Sequence, residues 1–361
     1  MLEVRVSATI AAIGRRRWDA VFPGELEGFD YLAAVEAARL PGFQWRYILV
    51  LRDGAAIAAA SAFITDYALE TTFDGPARRA AKALRRVAPG LMTQKLACLG
   101  SPCTETAPIG FAPGLTPAER EEALGEIIAV FEDVAAECGC NLFGVKDALA
   151  GEDDLWSRAA PGYCAVPGQP VASLEIDFQD VETYLAALSP GARRDMRRKL
   201  RSRPGVRIEI RDELGPYRDR AMELYAETLA RAPTTFEELT GEFFDGVAAR
   251  MPGRAFFVMY FVGEDLLAFN LLLSDGEVLL DKFFCMEAAR GRAHNLYYLS
   301  WFRNIEFCLE AGFKRYQSGQ AAIETKVRLG SGLTATSMRF RHRNWALNGL
   351  LRLAAPLGLA A

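Results

Sequence analysis

The apolar positions of this chain change period repeatedly, and each change marks an expected element. Residues 32–39, LAAVEAAR, read as a helix. Residues 45–67, WRYILVLRDGAAIAAASAFITDY, read as two strands turning at Asp53-Gly54, because Asp-Gly between apolar runs is a strong hairpin signal. A long helix is expected over 117–137, with Pro117 in its first turn, acids at its start and Gly139 after its end; NLFGVKD then follows as a strand. Further on, 181–201 reads as one arginine-rich helix, VRIEIRDE alternates at period two, and 217–231 and 235–250 read as helices. The stretch AFFVMYFVGEDLLAFNLLLSDGEVLLDKFFCM gives three strands, turning at Gly263-Glu264-Asp265 and Ser274-Asp275-Gly276. A loop over 287–294 precedes a helix at 296–311, which Gly312 caps. FKRYQSG and TSMRFRHRN read as the last strands.

Each half thus presents helix, hairpin, loop, helix and strand in the same order, without residue-level repetition. Pro161, Gly162, Pro167, Gly168 and Pro170 cluster between the halves and mark a boundary. The expected domains are 1–168 and 169–361, and a length of 361 residues suits two domains.

Composition narrows the class. An apolar fraction of 51% with 24% charged residues is that of a globular protein with real cores. A net charge of −4 argues against a nucleic-acid partner. No apolar run reaches the roughly 18–20 residues that span a bilayer, and the start, MLEVRVSATIAAIGRRRW, does not read as a secretory signal. The expected location is the cytoplasm. Seven cysteines include one close pair, Cys138 and Cys140, with no second half to the motif and no nearby histidine. They read as small hydrophobes in a reducing compartment rather than as a zinc site or disulfide framework. With only His294 and His342 in the chain, a multi-histidine metal centre is excluded, and no metal is expected.

Local charge adds to this. Segment 76–92, PARRAAKALRRVAPGLM, reads as a basic amphipathic helix, and WALNGLLRLAAPLGLAA at 345–361 is apolar with one arginine. Two such segments suit contact with the inner face of the cytoplasmic membrane and a greasy amine substrate. Arg193, Arg194, Arg197, Arg198 and Arg201 share one helix face. It is either a solvated face or a docking surface for acyl-carrier protein, tRNA or lipid headgroups.

The order of elements in 217–340 resembles the GNAT acyltransferase fold: a meander, a loop at 287–294, a helix and a strand. In that superfamily the loop before the helix takes the carrier's pyrophosphate, where free N–H groups and the positive helix end attract an anion. The family pattern there is Arg or Gln, two residues, Gly, one residue, then Gly or Ala. This chain has Ala288-Ala289-Arg290-Gly291-Arg292-Ala293, which matches at Gly291 and Ala293 and lacks the leading Arg or Gln. The resemblance implies a binding set of Arg290, Gly291, Arg292, Ala293 and Asn295, with the two arginines supplying the charge. Tyr184-Leu185-Ala186-Ala187-Leu188-Ser189 with the arginine run, and Glu310-Ala311-Gly312-Phe313-Lys314-Arg315-Tyr316 with Gly319 and Lys326-Val327-Arg328-Leu329-Gly330, resemble the tandem-GNAT group of Fem-type and BioF2-like transferases. Asn295-Leu296-Tyr297-Tyr298 and Tyr316-Gln317-Ser318-Gly319-Gln320 are similar to a branch that includes bacterial ceramide synthases. The implied fold class is α/β (α+β): two tandem GNAT-like domains, each a mixed, mostly antiparallel sheet flanked by helices.

Acyl transfer to an amine needs a neutral amine, stabilisation of the developing oxyanion and a proton for the leaving group. Asp281 stands inside the apolar strand VLLDKFFCM, where it is either a base of raised pKa or part of a structural ion pair. His294, at the start of the 296–311 helix, is a neutral base or a surface histidine. His342, between two arginines, is expected to have its pKa depressed by their charge. Glu324 and Lys326 would share one side of an extended segment, as a pair placing an amine or phosphate or as a surface ion pair. Tyr297, Tyr298 and Trp301 are core residues, or one of the tyrosines protonates a departing thiolate.

The expected activity is N-acyl transfer, with a long acyl group passing from acyl-CoA or acyl-carrier protein to a lipid amine such as a sphingoid base. No permanently bound cofactor is expected. The second domain would be catalytic, and the loop 99–111 of the first would complete the acceptor channel. The alternatives are a Fem-type transferase using aminoacyl-tRNA and a non-catalytic binding module.

Overall fold

The computed structural model describes residues 1–68, 83, 86, 93–106, 109–232 and 235–354. Apart from Ala83 and Arg86, the basic segment 76–92 lies outside the described residues, as does 355–361. The chain forms two compact units: Met1–Gln169 with Ala335–Ala361, and Pro170–Thr334.

The first unit opens with β1 (Leu2–Ser7), α1 (Phe29–Ala37), β2 (Gln44–Arg52) and β3 (Ala55–Ala68). β2 and β3 form the expected hairpin; Asp53 and Gly54 both take positive φ, 52° and 81°, as a tight two-residue turn requires. β4 (Thr93–Leu99), β5 (Ile109–Phe111), α2 (Pro117–Glu137), β6 (Leu142–Leu149), α3 (Asp153–Ala159) and β7 (Cys164–Pro167) follow. α2 begins where the sequence places it because Thr116 and Glu119 cap each other reciprocally and Pro117 fits the first turn. Its buried face, from Leu124 through Ile127, Ile128 and Phe131 to Ala135, recurs at helical spacing and packs on the sheet.

Gly110 in β5 shows how tight this packing is. A Cβ there would stand 2.6 Å from the ring of Phe22, which itself stacks on Trp18 at 4.8 Å. Gly110→Ala is expected to lower stability by about 1–3 kcal/mol in urea unfolding. An unchanged midpoint would mean that the Phe22 ring moves aside at no cost.

The second unit contains β8 (Val171–Glu175), α4 (Val181–Ala187), α5 (Pro190–Leu200), β9 (Arg207–Arg211), α6 (Arg218–Ala230) and α7 (Gly241–Arg250). It continues with β10 (Ala255–Val262), β11 (Asp265–Ser274), β12 (Val278–Met286), α8 (Ala288–Ala293), α9 (Leu296–Ala311), β13 (Arg315–Gly319), α10 (Ile323–Arg328) and β14 (Gly332–Thr334). Four expectations are corrected here. The helix at 181–201 is two helices, because Ser189 before Pro190 is extended (ψ 149°) and caps α5. The helix at 235–250 shortens to α7; the Leu239 N–H before it donates to the Tyr225 hydroxyl at 2.9 Å and so is tied to α6. The loop at 287–294 holds the short helix α8, and the segment around 324–326 is helical rather than extended.

The chain then returns to the first unit as β15 (Thr336–His342) and α11 (Trp345–Ala354). β15 lies between β6 and β7 and is the strand that β7 pairs with. The last strand of the stretch 169–361 thus completes the first sheet, and the last helix packs on the same unit through Leu351. Sheet orders are β1-β2-β3-β4-β6-β15-β7, with β5 beside β3, and β14-β8-β13-β12-β11-β10-β9. Each is an antiparallel meander closed by one parallel pair, β4 with β6 and β12 with β13, and then by antiparallel strands. The expected class holds: two mixed, mostly antiparallel sheets flanked by helices.

Candidate active site

In the second unit β12 and β13 stay paired only from Val278–Arg315 to Leu280–Gln317. β12 then runs on along β11 to Met286 without β13, past a bulge opposite Leu271 and Leu272. Asp281 is the first residue beyond the last parallel pair. It keeps partial solvent exposure where the strands part, while Asn270, Asn304 and Tyr316 around it are buried.

Three side chains from three elements hold its carboxylate. Asn270 of β11 donates from Nδ2 to Oδ1 at 2.9 Å; Asn304 of α9 donates from Nδ2 to Oδ2 at 3.1 Å; the Tyr316 hydroxyl of β13 donates to Oδ2 at 2.9 Å. Asn304 Nδ2 also donates to the Tyr316 hydroxyl at 3.0 Å. Asn270 and Asn304 are fully buried. Burial raises the Asp281 pKa above the ordinary carboxylate value, and this outweighs the hydrogen bonds and the nearby Lys326 charge, which lower it. Burial and then the Asp281 charge push the Tyr260, Tyr297 and Tyr316 hydroxyls up in turn, so all three stay protonated donors.

Four buried polar atoms here have no hydrogen-bond partner: the hydroxyls of Tyr260 and Tyr297 and the Oδ1 atoms of Asn270 and Asn304. An unmade hydrogen bond of this kind costs about 1–3 kcal/mol, so their concentration around one carboxylate is typical of a site rather than of a core. Phe284 packs edge-on against both tyrosine rings, Tyr260 at 6.2 Å and Tyr297 at 5.8 Å. Trp301 packs on Tyr316 at 5.0 Å and donates to Tyr184 at 2.9 Å.

The structure brings Asp281 and Tyr297 into one electrostatic neighbourhood, with Lys326 close by, and keeps other candidates apart from it. Lys326 is buried and donates to the carbonyls of Ser318 and of Gly319, the latter at 3.1 Å; Glu324, on the same short helix, is exposed. The expected Glu324–Lys326 pair on one side does not form, because residues two apart on a helix face away from each other. His294 ends α8; its carbonyl accepts from Ser202 at 2.9 Å, and its ring makes no hydrogen bond to a described residue. His342 belongs to β15 in the first unit, and burial, not the flanking arginines, lowers its pKa.

The expected phosphate cradle is already occupied by protein groups. The Ala288 N–H donates to Glu227 at 2.9 Å, and Arg290 bonds Asp265 at 2.6 Å. Gly291 is buried and a Cβ there would meet Met286 Sδ at 2.9 Å, so its lack of a side chain serves packing. Arg292 and Ala293 are exposed, and Asn295 opens α9 with a left-handed φ of 56°. Among the described residues no cluster suits a metal ion, and no helix is long and apolar enough to cross a membrane.

The corresponding place in the first sheet carries no such group. β4 and β6 part after Leu99–Val145, so Gly100 stands where Asp281 does and Gly144 where Tyr316 does. A Cβ on Gly144 would lie 3.0 Å from Cys98 Sγ. Residues 100–105 beyond it are buried, and Thr104 accepts from Lys146 at 2.7 Å. Asp281 is legible in the sequence, and its holders are not. A lone Asn270 in the apolar strand DLLAFNLLLS was the available signal; Asn304 and Tyr316 become visible only once the helix and strand are placed.

None of the curated proteins matches the sequence. Among solved structures the chain is similar to FemX (TM-score 0.58, 14% identity, 91% of this chain and 94% of that one). It is also similar to a tandem GNAT protein from the clavulanic acid biosynthesis pathway (0.51, 12%, 95% and 99%) and to a conserved protein of unknown function from Bacteroides thetaiotaomicron (0.51, 11%, 94% and 100%). At these identities the likeness is one of fold. The FemAB-like family model, described as peptidoglycan biosynthesis/recognition, matches residues 120–350, most of the chain, and the protein belongs to that family.

Proposed function

We propose that the second unit transfers an acyl group from an activated carrier to an amine, with Asp281 as the base. The observation that carries this is a carboxylate of raised pKa, reachable where two strands part, held by three donors and bordered by two unpartnered tyrosine hydroxyls. Gly100 at the matching place in the first sheet supports assigning the chemistry to the second unit.

The amine nitrogen attacks the acyl carbonyl carbon and its proton passes to Asp281. The carbonyl oxygen becomes an oxyanion facing the Tyr297 or Tyr260 hydroxyl. Collapse breaks the bond to the carrier, whose sulfur or oxygen leaves with a proton from the site. Beyond Asp281 the unpaired edge of β12 continues through Phe283 and Phe284, both partly exposed. That surface suits a long apolar chain on the donor or the acceptor, such as a sphingoid base.

The donor is harder for this chain if it is acyl-CoA. Its pyrophosphate would meet Glu227 and Glu287 at α8, where Arg290 is already paired with Asp265. This favours a carrier without a pyrophosphate at this loop, acyl-carrier protein, with aminoacyl-tRNA as the second reading. The deciding assay offers palmitoyl-CoA, acyl-carrier protein thioesters and labelled aminoacyl-tRNA, with sphinganine and simpler amines as acceptors. Absence of product with every one of these donors would leave a binding module.

The base must be ionised, so kcat/KM is expected to rise with pH through a value above the ordinary aspartate range. Tyr316→Phe removes a donor that stabilises the carboxylate and is expected to move this acid limb to still higher pH. A limb that stays in place would separate it from Asp281.

A further inference from the structure

We propose that α11 is a docking helix for an anionic lipid surface. Its inner side is tied to the first unit. Leu351 packs on the core; Asn348 accepts from the His342 N–H at 2.9 Å and donates to the Gly162 carbonyl at 3.1 Å; Arg352 donates to the Pro161 carbonyl at 2.7 Å. Among the described residues nothing covers the outer side. At about 100° per residue, Trp345, Leu353, Leu350 and Leu347 follow one another within an arc of about 200°, and they are 86%, 72%, 61% and 46% exposed. Such a cluster on ten residues, with a tryptophan at one end, is unlike the scattered apolar residues of an ordinary surface.

Charge selects the occupant. The sequence has no Asp or Glu after Glu324, while Arg343 and Arg352 are exposed at the start and on the flank of the helix. Neither arginine has a carboxylate partner among the described residues: the partners of this strand's other arginines, Asp153 and Glu132, are bound to Arg339 and Arg341. A second copy placed face to face about a two-fold axis would bring like charges together with no acid to answer them. Anionic headgroups answer the arginines, and the acyl boundary takes the leucine face and the indole, whose N–H stays at the headgroup level. The helix has its backbone paired and its inner side anchored, so binding needs no refolding.

The test uses the full chain with phosphatidylcholine vesicles, with and without phosphatidylglycerol. Co-sedimentation is expected with the anionic vesicles and is expected to weaken in salt. Trp345 emission, taken against a Trp345→Phe blank, is expected to shift to the blue on binding. Leu350→Glu with Leu353→Glu, exposed positions whose change leaves the core intact, is expected to reduce vesicle binding on the order of ten-fold or more. Leu350→Ser with Leu353→Ser, which adds no charge, is expected to act in the same direction. Binding retained in both variants, binding equal on neutral vesicles, or light scattering that shows these variants dissolving a dimer would overturn the proposal.

Discussion

Asp281→Asn is expected to lower kcat for acyl transfer by on the order of 10²–10⁴, the range by which a positioned base accelerates proton removal. The same variant is expected to be at least as stable as the wild type at neutral pH. The Asp281 pKa is raised in the folded state, so its contribution to stability is fully present below the unfolded-state pKa and is lost as pH rises through the folded value. At neutral pH the ionised group therefore costs stability, and asparagine, which does not titrate, is free of that cost. The geometry accepts an amide: the new Nδ2 can face an unpartnered Oδ1 of Asn304 or Asn270 after that side chain turns over. Melting temperatures across pH, measured beside turnover, separate the roles. A gap in favour of the variant that widens from acid to neutral pH, with activity lost, marks a base. A variant that melts well below wild type at every pH would make Asp281 structural, and one that works within a few-fold would remove it as the base.

Lys326→Met is expected to be among the most destabilising single changes, at roughly 2–5 kcal/mol, because it leaves the carbonyls of Ser318 and Gly319 buried without their ammonium donor. These carbonyls end β13, two and three residues beyond Tyr316, so the loss loosens the strand that supplies the Asp281 hydroxyl donor. The variant also removes a positive charge that lowers the Asp281 pKa, and the acid limb of the rate profile is expected to move up. Urea unfolding reads the first effect and the pH profile of surviving activity the second. Lys326→Arg, which keeps the charge, is expected to restore the limb more fully than the stability. A limb that is the same in Lys326→Met and wild type would show that the ammonium does not act on the carboxylate.

The hairpin at Asp53-Gly54, the helix from Pro117 and the three-stranded meander at 255–286 were legible in the sequence because each is written locally. A turn dipeptide, a reciprocal cap and a steady period decide them with neighbours a few residues apart. Ser189-Pro190 was equally local, and the arginine run around it masked the break. Asp281 could be singled out because an acid within an apolar strand is conspicuous on its own. The place of β15 was not legible: TSMRFRHRN announces a strand but not which sheet has room for it, and β6 and β7 settle that from far away in the chain. Nor was the cradle at α8, since Ala288-Ala289-Arg290-Gly291-Arg292-Ala293 shows its own cations but not Glu227, which takes the Ala288 N–H, or Asp265, which pairs with Arg290. The sequence by itself determined the elements, their order and one suspicious carboxylate. Only the tertiary structure decided what surrounds it, because Asn270, Asn304 and Tyr316 reach Asp281 from 11, 23 and 35 residues away, and a buried charge takes its chemistry from the groups that enclose it rather than from those beside it in the chain.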